Sequence, residues 1–368
     1  MHLHESSAGS RSMDRRRKVA IIPGEDAAAE AMEAVVVLLE RAGLDLEFVR
    51  PPVGIPAERT HGSWFPAEAR QVIDDADLTL FGATSGPSAD AIRYLRWGKR
   101  TFANVRPAKW RPGFASPIRE PNGIDFVIVR ENSEDLYLGI EGGLDRLEPL
   151  DMVSPAAGRA VNELGSGKFA LKVTTEAASE RIHRFAFELA RRRKAAGRPG
   201  RVCVASKFNV LPVTDGLFAE VGERVAKEFP DIEHRTLLVD DFAHRLVGRP
   251  WDFDVIVLQN LYGDILSDAA AALVGGLGLA PSGCFGNDYA YFESVHGTAP
   301  DIVGQNIINP TATILSAVMA LQYIGLTADA ERMENAIDIV YAAGKTLTPD
   351  QGGNATTTEF CDAILAAM

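Results

Sequence analysis

The sequence predicts an α/β protein on two observations. Short apolar runs of strand length alternate with segments of helical periodicity, and 368 residues with 46% hydrophobic content can bury a large core, most readily as two lobes. In chain order, Lys18-Val-Ala-Ile-Ile-Pro-Gly24 reads as a buried strand, and Ala27 to Arg41 reads as a helix stopped by Gly43. Further strands are expected at Leu78 to Phe81, Ile124 to Val129, Arg201 to Ala205, Leu237 to Val239 and Asp254 to Leu258. Helices are expected at Glu176 to Ala195, Asp215 to Glu228, Asp264 to Val274, Pro310 to Tyr323, Ala328 to Ala343 and Thr358 to Ala367. The chain has no internal repeat and no low-complexity linker, so the lobes should be tightly joined. The polar, Gly-rich stretch from Glu141 to Gly167 is the expected excursion from the compact body.

Charge and cysteine usage exclude several classes of function. A net charge of −12 and a pI near 5.2 disfavour unspecific attraction to nucleic acid or to an anionic membrane, so any bound anion needs a local basic site. Cys203, Cys284 and Cys361 are far apart and odd in number, which fits a reducing cytoplasm better than a disulfide framework or a zinc site. No apolar run approaches the roughly 20 residues of a membrane span, and the polar, basic start reads as a flexible tail over residues 1–17.

Two local features carry chemistry. From Arg93 to Arg119 the chain holds Arg93, Arg96, Lys99, Arg100, Arg106, Lys109, Arg111 and Arg119 with no acidic residue. Guanidinium groups match carboxylates through paired hydrogen bonds, so their convergence would make a site for a small polycarboxylate. The alternatives are a solvated basic surface or, given Tyr94, Trp97, Phe102 and Trp110 nearby, a nucleic-acid contact that the overall charge opposes. The second feature is Gln259-Asn-Leu-Tyr-Gly-Asp-Ile-Leu-Ser-Asp268, which follows an apolar strand and opens a helix. Asp264 and Asp268 are four apart and share a helix face, where they could hold Mg²⁺ or Mn²⁺ through oxygen ligands. Capping of the helix start is the competing explanation.

Several motifs together resemble the isocitrate, isopropylmalate and homoisocitrate dehydrogenases, over nearly the whole chain after the tail. They are Ala91-Ile-Arg-Tyr-Leu-Arg96, Ala103-Asn-Val-Arg-Pro-Ala-Lys109, Val129-Arg-Glu-Asn-Ser-Glu-Asp-Leu-Tyr137, Asn260 through Asp268, Gly275-Gly-Leu-Gly-Leu-Ala-Pro-Ser282 and Val295-His-Gly-Thr-Ala-Pro-Asp301. Spacings agree as well, with ten residues from Arg96 to Arg106 and twenty-four from Asp240 to Asp264. The resemblance implies two lobes sharing a large mixed twisted sheet and a cofactor site without the Rossmann fingerprint. The large lobe would hold residues 18–107 and 259–368, and the small lobe 108–258, with a dimer-forming arm near 137–167.

It also implies roles. Arg96, Arg106 and Arg130 would clamp the malate part of the substrate, with Asn209 beside it, and Asp264 and Asp268 would be metal ligands joined by Asp240 from the partner subunit of a homodimer. Lys207, also from the partner, would help remove the hydroxyl proton, and Tyr137 would protonate the enol carbon after carbon dioxide leaves. To act as a base Lys207 must be partly neutral, which nearby positive charge favours. The substrate's variable arm is read before Arg96, where Ala91 to Arg96 resembles homoisocitrate dehydrogenases and the arginine matching Arg93 meets a distal carboxylate. An anionic arm, homoisocitrate-like or isocitrate-like, is therefore expected over 3-isopropylmalate. A malate, tartrate or 3-isopropylmalate dehydrogenase of the same family and a non-catalytic regulatory paralogue are the alternatives.

For the cofactor, no Gly-x-Gly-x-x-Gly follows a strand. By resemblance His296, Gly297 and Asn309 belong to the adenine-side loops, and Asp301 with Ile302 replaces the Lys and Tyr of NADP-dependent relatives. NAD is expected, because the Asp301 carboxylate would repel a 2′-phosphate. The chain departs from the family at Gly24-Glu-Asp-Ala-Ala-Ala-Glu30, where lost glycines should disfavour positive φ and favour a regular helix start. It departs also at Glu176, Ser206, Gln259 and the run Trp97 to Phe102.

Overall fold

The computed structural model describes residues 16–368, so the expected tail lies outside the described residues as far as residue 15. Arg17 already belongs to the first strand, and Arg16 pairs with Asp45 at 3.0 Å. Ten strands form one mixed sheet. In spatial order they are Glu233–Leu238, Arg201–Ser206, Val255–Leu258, Asp125–Glu131, Ala103–Lys109, Pro281–Phe285, Ala290–Ser294, Leu78–Phe81, Arg17–Ile22 and Leu46–Val49.

The first four strands are mutually parallel, and so are the last four. Between them, 103–109 runs antiparallel to 125–131 and to 281–285, which is antiparallel to 290–294. This reversal matters for the site. It brings the amino end of 103–109, and the segment just before it, to the carboxyl ends of 125–131 and 255–258, where ligands bind in open sheets.

The expected strands at 78–81, 124–129, 201–205 and 254–258 form within one or two residues, as does the helix Glu176–Ala195. Its N-terminus is set by Thr175, whose hydroxyl accepts from the Ala178 amide at 3.3 Å. Val239 does not end a strand: 233–238 is the strand and Val239–Gly248 is a helix. Strands 46–49, 103–109, 281–285 and 290–294 carry weak local signals because Glu47, Arg106, Pro107, Gly283 and Glu293 interrupt their apolar runs. Burial inside the sheet, with polar groups paired across strands, stabilises these segments all the same.

The main apolar core lies on one face and runs from Val35 through Val127 and Val204 to Ile337 without a break. A second cluster on the other face joins Ile128, Phe242, Ile256 and Leu273. Outside the sheet, the 141–170 stretch folds into two small antiparallel pairs, Glu141–Gly143 with Lys168–Ala170 and Val153–Ser154 with Arg159–Ala160. Among the described residues no helix is long and apolar enough to cross a membrane.

Candidate active site

The 260–273 helix begins at Asn260, four residues earlier than expected, and has no acidic residue in its first turn. Asp264 therefore sits one turn inside the helix, where the amide groups already have intrahelical partners. This position removes the capping explanation for Asp264 and Asp268.

Both carboxylates instead face arginines. One Nη of Arg106 lies 3.3 Å from Asp264 and 3.2 Å from Asp268, and it donates to the Ser267 hydroxyl at 2.7 Å. Arg130, only 1% exposed, donates from Nε to Asn260 Oδ1 at 2.8 Å and pairs with Asp264 through an Nη. Tyr137 donates its hydroxyl to Asp264, and its ring lies under the Arg130 guanidinium at 4.8 Å. Arg96 completes the group from the loop ahead of 103–109, held by Tyr291 OH at 3.2 Å and by Glu293 at 3.8 Å. Its placement comes from a π-helical turn, Tyr94–Gly98, closed by Lys99 N donating to Tyr94 O at 2.9 Å. Trp97 of the unusual run tethers that turn to the Ser133 carbonyl at 3.0 Å.

The electrostatics follow from this crowding. Burial would raise the Asp264 carboxyl, but the Arg130 charge, the Tyr137 hydroxyl and Arg106 together hold it below the ordinary carboxylate range. Asp268 goes the other way, pushed up by burial and by the Asp264 charge against the pull of Arg106. Burial raises the Tyr137 phenol, and its bond to Asp264 adds to the shift, so it keeps its proton at neutral pH.

The basic segment as a whole is not an anion site. Of its eight cations only Arg96 and Arg106 join this cluster, and Arg130 comes from the neighbouring strand. Arg93 is exposed and paired with Asp90 at 2.5 Å, Lys99 with Asp74 at 2.5 Å, Lys109 with Glu334 at 3.3 Å and Arg111 with Asp338 at 2.6 Å. Strand alternation and the π-turn send these side chains in different directions; Asp90, three residues back, neutralises Arg93, and acidic residues distant in sequence neutralise the other three.

Lys207 and Asp240 follow adjacent strands and bond to each other at 2.6 Å, with Asp240 held in its charged form by that contact. Among the described residues no hydrogen bond or ion pair links this pair to Tyr137 or Asp264, and no group of three metal-ligating side chains is gathered. Asp264 and Asp268 nevertheless fit a hard divalent cation, because two carboxylates converge on a single Arg106 nitrogen beside a half-open surface. Asn209 is exposed just beyond Lys207.

Several positioning groups escaped the sequence reading. Asn260 receives Arg130 and donates to the Glu134 carbonyl at 3.1 Å, Ser267 receives Arg106, and Tyr291 with Glu293 holds Arg96. Fully buried Asp215 accepts from the Lys207 amide at 2.7 Å and from Lys172 at 2.5 Å, fixing the loop that carries Lys207. Only Asn260 and Ser267 had a signal, since both lie inside the 259–268 motif.

The cofactor candidates His296, Gly297, Asp301, Ile302 and Asn309 all lie on the connection from strand 290–294 to the helix Thr311–Tyr323. That connection packs on the 24–30 loop through Ala28 N to Thr298 O at 3.2 Å and through the Glu30 carboxylate, which accepts from Asn306 N at 3.1 Å. The regular helix start expected in that loop is present, Asp26–Arg41, but Asp26, where a family glycine is lost, adopts a positive φ of 53° contrary to expectation, beside the retained Gly24 at φ 81°. Glu25 steadies it by accepting from Ser85 N at 2.8 Å and Ser88 N at 3.0 Å, a carboxylate doing what glycine flexibility does not. His296 Nδ1 donates to the Gly297 carbonyl at 2.8 Å and leaves Nε2 without a partner, and Asp301 is exposed. An orphaned ring nitrogen and an exposed carboxylate on one connection fit an adenosine moiety. Asn309 differs, because its side chain is buried and already bonded to Tyr341, Asp350 and the Thr311 amide.

A family model described as isocitrate/isopropylmalate dehydrogenase matches residues 18–364. The 3-isopropylmalate/3-methylmalate dehydrogenase of Methanocaldococcus jannaschii is 44% identical over 347 residues, 94% of this chain and 97% of the relative. The isocitrate/homoisocitrate dehydrogenase of Thermus thermophilus is 44% identical over 358 residues, 95% and 98% of the two chains. The crystal structure of isocitrate dehydrogenase from Methylococcus capsulatus superposes with a TM-score of 0.82 at 35% identity, covering 95% of this chain and 99% of that one.

Proposed function

The chain belongs to the isocitrate/isopropylmalate dehydrogenase family, and from that premise we propose that it oxidises and decarboxylates a 2-hydroxy-polycarboxylic acid, with NAD as acceptor and a divalent Mg²⁺ or Mn²⁺ ion. The observation that carries this reading is the convergence of Arg96, Arg106 and Arg130 on Asp264, Asp268 and Tyr137.

Three guanidinium groups, two of them buried among neutral and anionic partners, bind the carboxylates of a malate unit and fix its orientation. Asp264 and Asp268, with Asp240 of the partner subunit, hold the cation, which supplies Lewis-acid polarisation of substrate oxygens. NAD, held by the 295–309 connection, supplies the hydride acceptor. Lys207 of the partner subunit takes the hydroxyl proton. Tyr137 keeps a proton on its phenolic oxygen and delivers it to the carbon that has lost carbon dioxide. Arg93, one turn ahead of Arg96, reads an anionic distal arm of homoisocitrate or isocitrate type.

A homodimer is supported by the lack, among the described residues, of a hydrogen bond or ion pair from the Lys207–Asp240 pair to Tyr137 and by the exposed Leu150, Met152 and Val153 on the 141–170 excursion. Three buried free thiols support a reducing compartment, the cytoplasm.

The test is purified protein with NAD and Mg²⁺ or Mn²⁺ against malate, tartrate, isocitrate, homoisocitrate and 3-isopropylmalate, following NADH and carbon dioxide. Equimolar NADH and carbon dioxide are expected, fastest with an anionic-arm acid. No NADH with any acid from folded, metal-saturated protein would replace this reading with a binding-only paralogue.

A further inference from the structure

A cavity of about 660 Å³ opens on the face of the sheet opposite the arginine cluster. In the antiparallel pair 103–109 and 125–131, Arg106 stands opposite Ile128, and Asn104 stands opposite Arg130. Alternation puts these residues on one face and Pro107, Lys109 and Asp125 on the other. The cavity uses the second set, so the sheet itself lies between it and the arginine cluster.

Its walls face each other across a gap. One comes from the end of the 176–195 helix and the turn after it, and the other from the helices Thr311–Tyr323 and Thr327–Ala343. The volume lies inside the roughly 300–1,000 Å³ of small-molecule sites. The floor is apolar, made by Val274, Leu279, Leu315, Val318 and Met319. Five cationic side chains line it beside three anionic ones.

Most of those cations are spoken for. Lys109 and Arg111 bond to Glu334, Arg193 to Asp254 at 2.5 Å and to Asp125 at 3.0 Å, and Arg198 to Asp125. Arg192 differs: its Nε is buried without a hydrogen-bond partner, and no described carboxylate forms an ion pair with it. Burial presses its guanidinium down from its usual range with only Glu188 opposing. Among the described residues Arg192 is thus the cavity cation that no carboxylate neutralises, and an anion in the cavity would supply the missing counter-charge to its guanidinium.

We propose that this cavity is a second binding site, for an apolar monocarboxylate whose head pairs with Arg192 and whose hydrocarbon body lies on Leu315, Val318 and Met319. The planar guanidinium suits a carboxylate, whereas a phosphate dianion would meet Asp125, Glu331 and Glu334 at the same mouth.

Octanoate titrated calorimetrically into the full-length protein tests this, with octylammonium (same body, opposite charge) and acetate (head alone) as controls. Saturable binding of one octanoate per chain is expected, with neither control binding. Arg192→Gln should weaken it at least about tenfold, and Val318→Trp, which fills the floor, should abolish it. Arg106→Gln should leave it unchanged. The proposal falls if wild type binds no octanoate, if both cavity variants, folded by circular dichroism, bind it as wild type does, or if binding is lost with Arg106→Gln instead.

Discussion

Tyr137 and Asp264, 127 positions apart in the chain, share one hydrogen bond in which the phenol donates to the carboxylate. The same carboxylate pairs with buried Arg130 and lies beside Arg106, so Asp264 is the hub of the cluster, whereas Asp268 touches Arg106 alone.

This asymmetry separates two variants that are equivalent as metal ligands. Asp264→Asn and Asp268→Asn should each lower metal-dependent kcat/KM by about a hundredfold or more. Their stabilities should differ. Asp264→Asn leaves the Arg130 charge uncompensated and should cost about 1–2 kcal/mol, discounted because the carboxylate is a third exposed, while Asp268→Asn should stay within about 0.5 kcal/mol. Urea unfolding of the metal-free proteins decides it, and equal stabilities would deny Asp264 the role of hub.

If the site is shared between subunits, Lys207→Ala and Tyr137→Phe chains, each inactive alone, should regain part of the wild-type rate when mixed and allowed to exchange. A mixed dimer then holds one site with both defects and one intact. Absence of recovery after exchange, demonstrated by mass-tagged subunits, would place both residues in one chain's site.

Among the described residues Arg93 pairs with Asp90 alone, and its side chain is two-thirds exposed, so it can turn to a substrate arm. Replacing it with leucine should cost roughly ten- to a hundredfold in kcat/KM on isocitrate and homoisocitrate, corresponding to about 1.5–3 kcal/mol, and little on malate. An equal loss on every acid would show a structural role.

Coenzyme choice should reside in the exposed Asp301 carboxylate. Asp301→Lys should move the NAD to NADP preference by at least about tenfold, worth about 1.4 kcal/mol, by exchanging repulsion of a 2′-phosphate for attraction. Ratios of kcat/KM for the two coenzymes measure it, and an unchanged ratio would move the determinant elsewhere.

His183 predicts how stability varies with pH. It is fully buried beside Phe218 with Nδ1 donating to the Ser179 carbonyl at 2.6 Å, and burial pushes its pKa down to about 4. The unfolded chain, titrating near 6.5, then binds more protons than the folded one between these two values. Stability from this group is therefore complete above about pH 6.5 and falls by up to about 1.4 kcal/mol per pH unit as pH drops toward 4. A His183→Leu variant should lack that slope when the two proteins are unfolded in urea from pH 4 to 8, and parallel curves would contradict it.

Much of the fold was legible because strand and helix periodicities are local properties of ten to twenty residues. The strands at 78–81, 201–206 and 255–258 and the 176–195 helix show this, since each buries a continuous run or stripe of its own apolar side chains. The residues of the cluster had a signal for a related reason, as Arg96, Arg106, Arg130, Tyr137 and Asp264 stand inside contiguous motifs.

Tertiary structure alone decided which of these residues meet. Strand 281–285, small and partly polar, has no apolar pattern of its own, yet it fills the sheet between 290–294 and 103–109, and the antiparallel pairing of 103–109 with 125–131 sets Arg106 on the same face as Arg130. Sequence counts eight cations in one acid-free segment, but whether each one waits for a substrate or is already neutralised depends on carboxylates such as Asp74 and Glu334, distant in the chain. Periodicity determines which face an element buries. Coulomb pairing, acting only over a few ångströms, depends on which elements the packed core sets side by side.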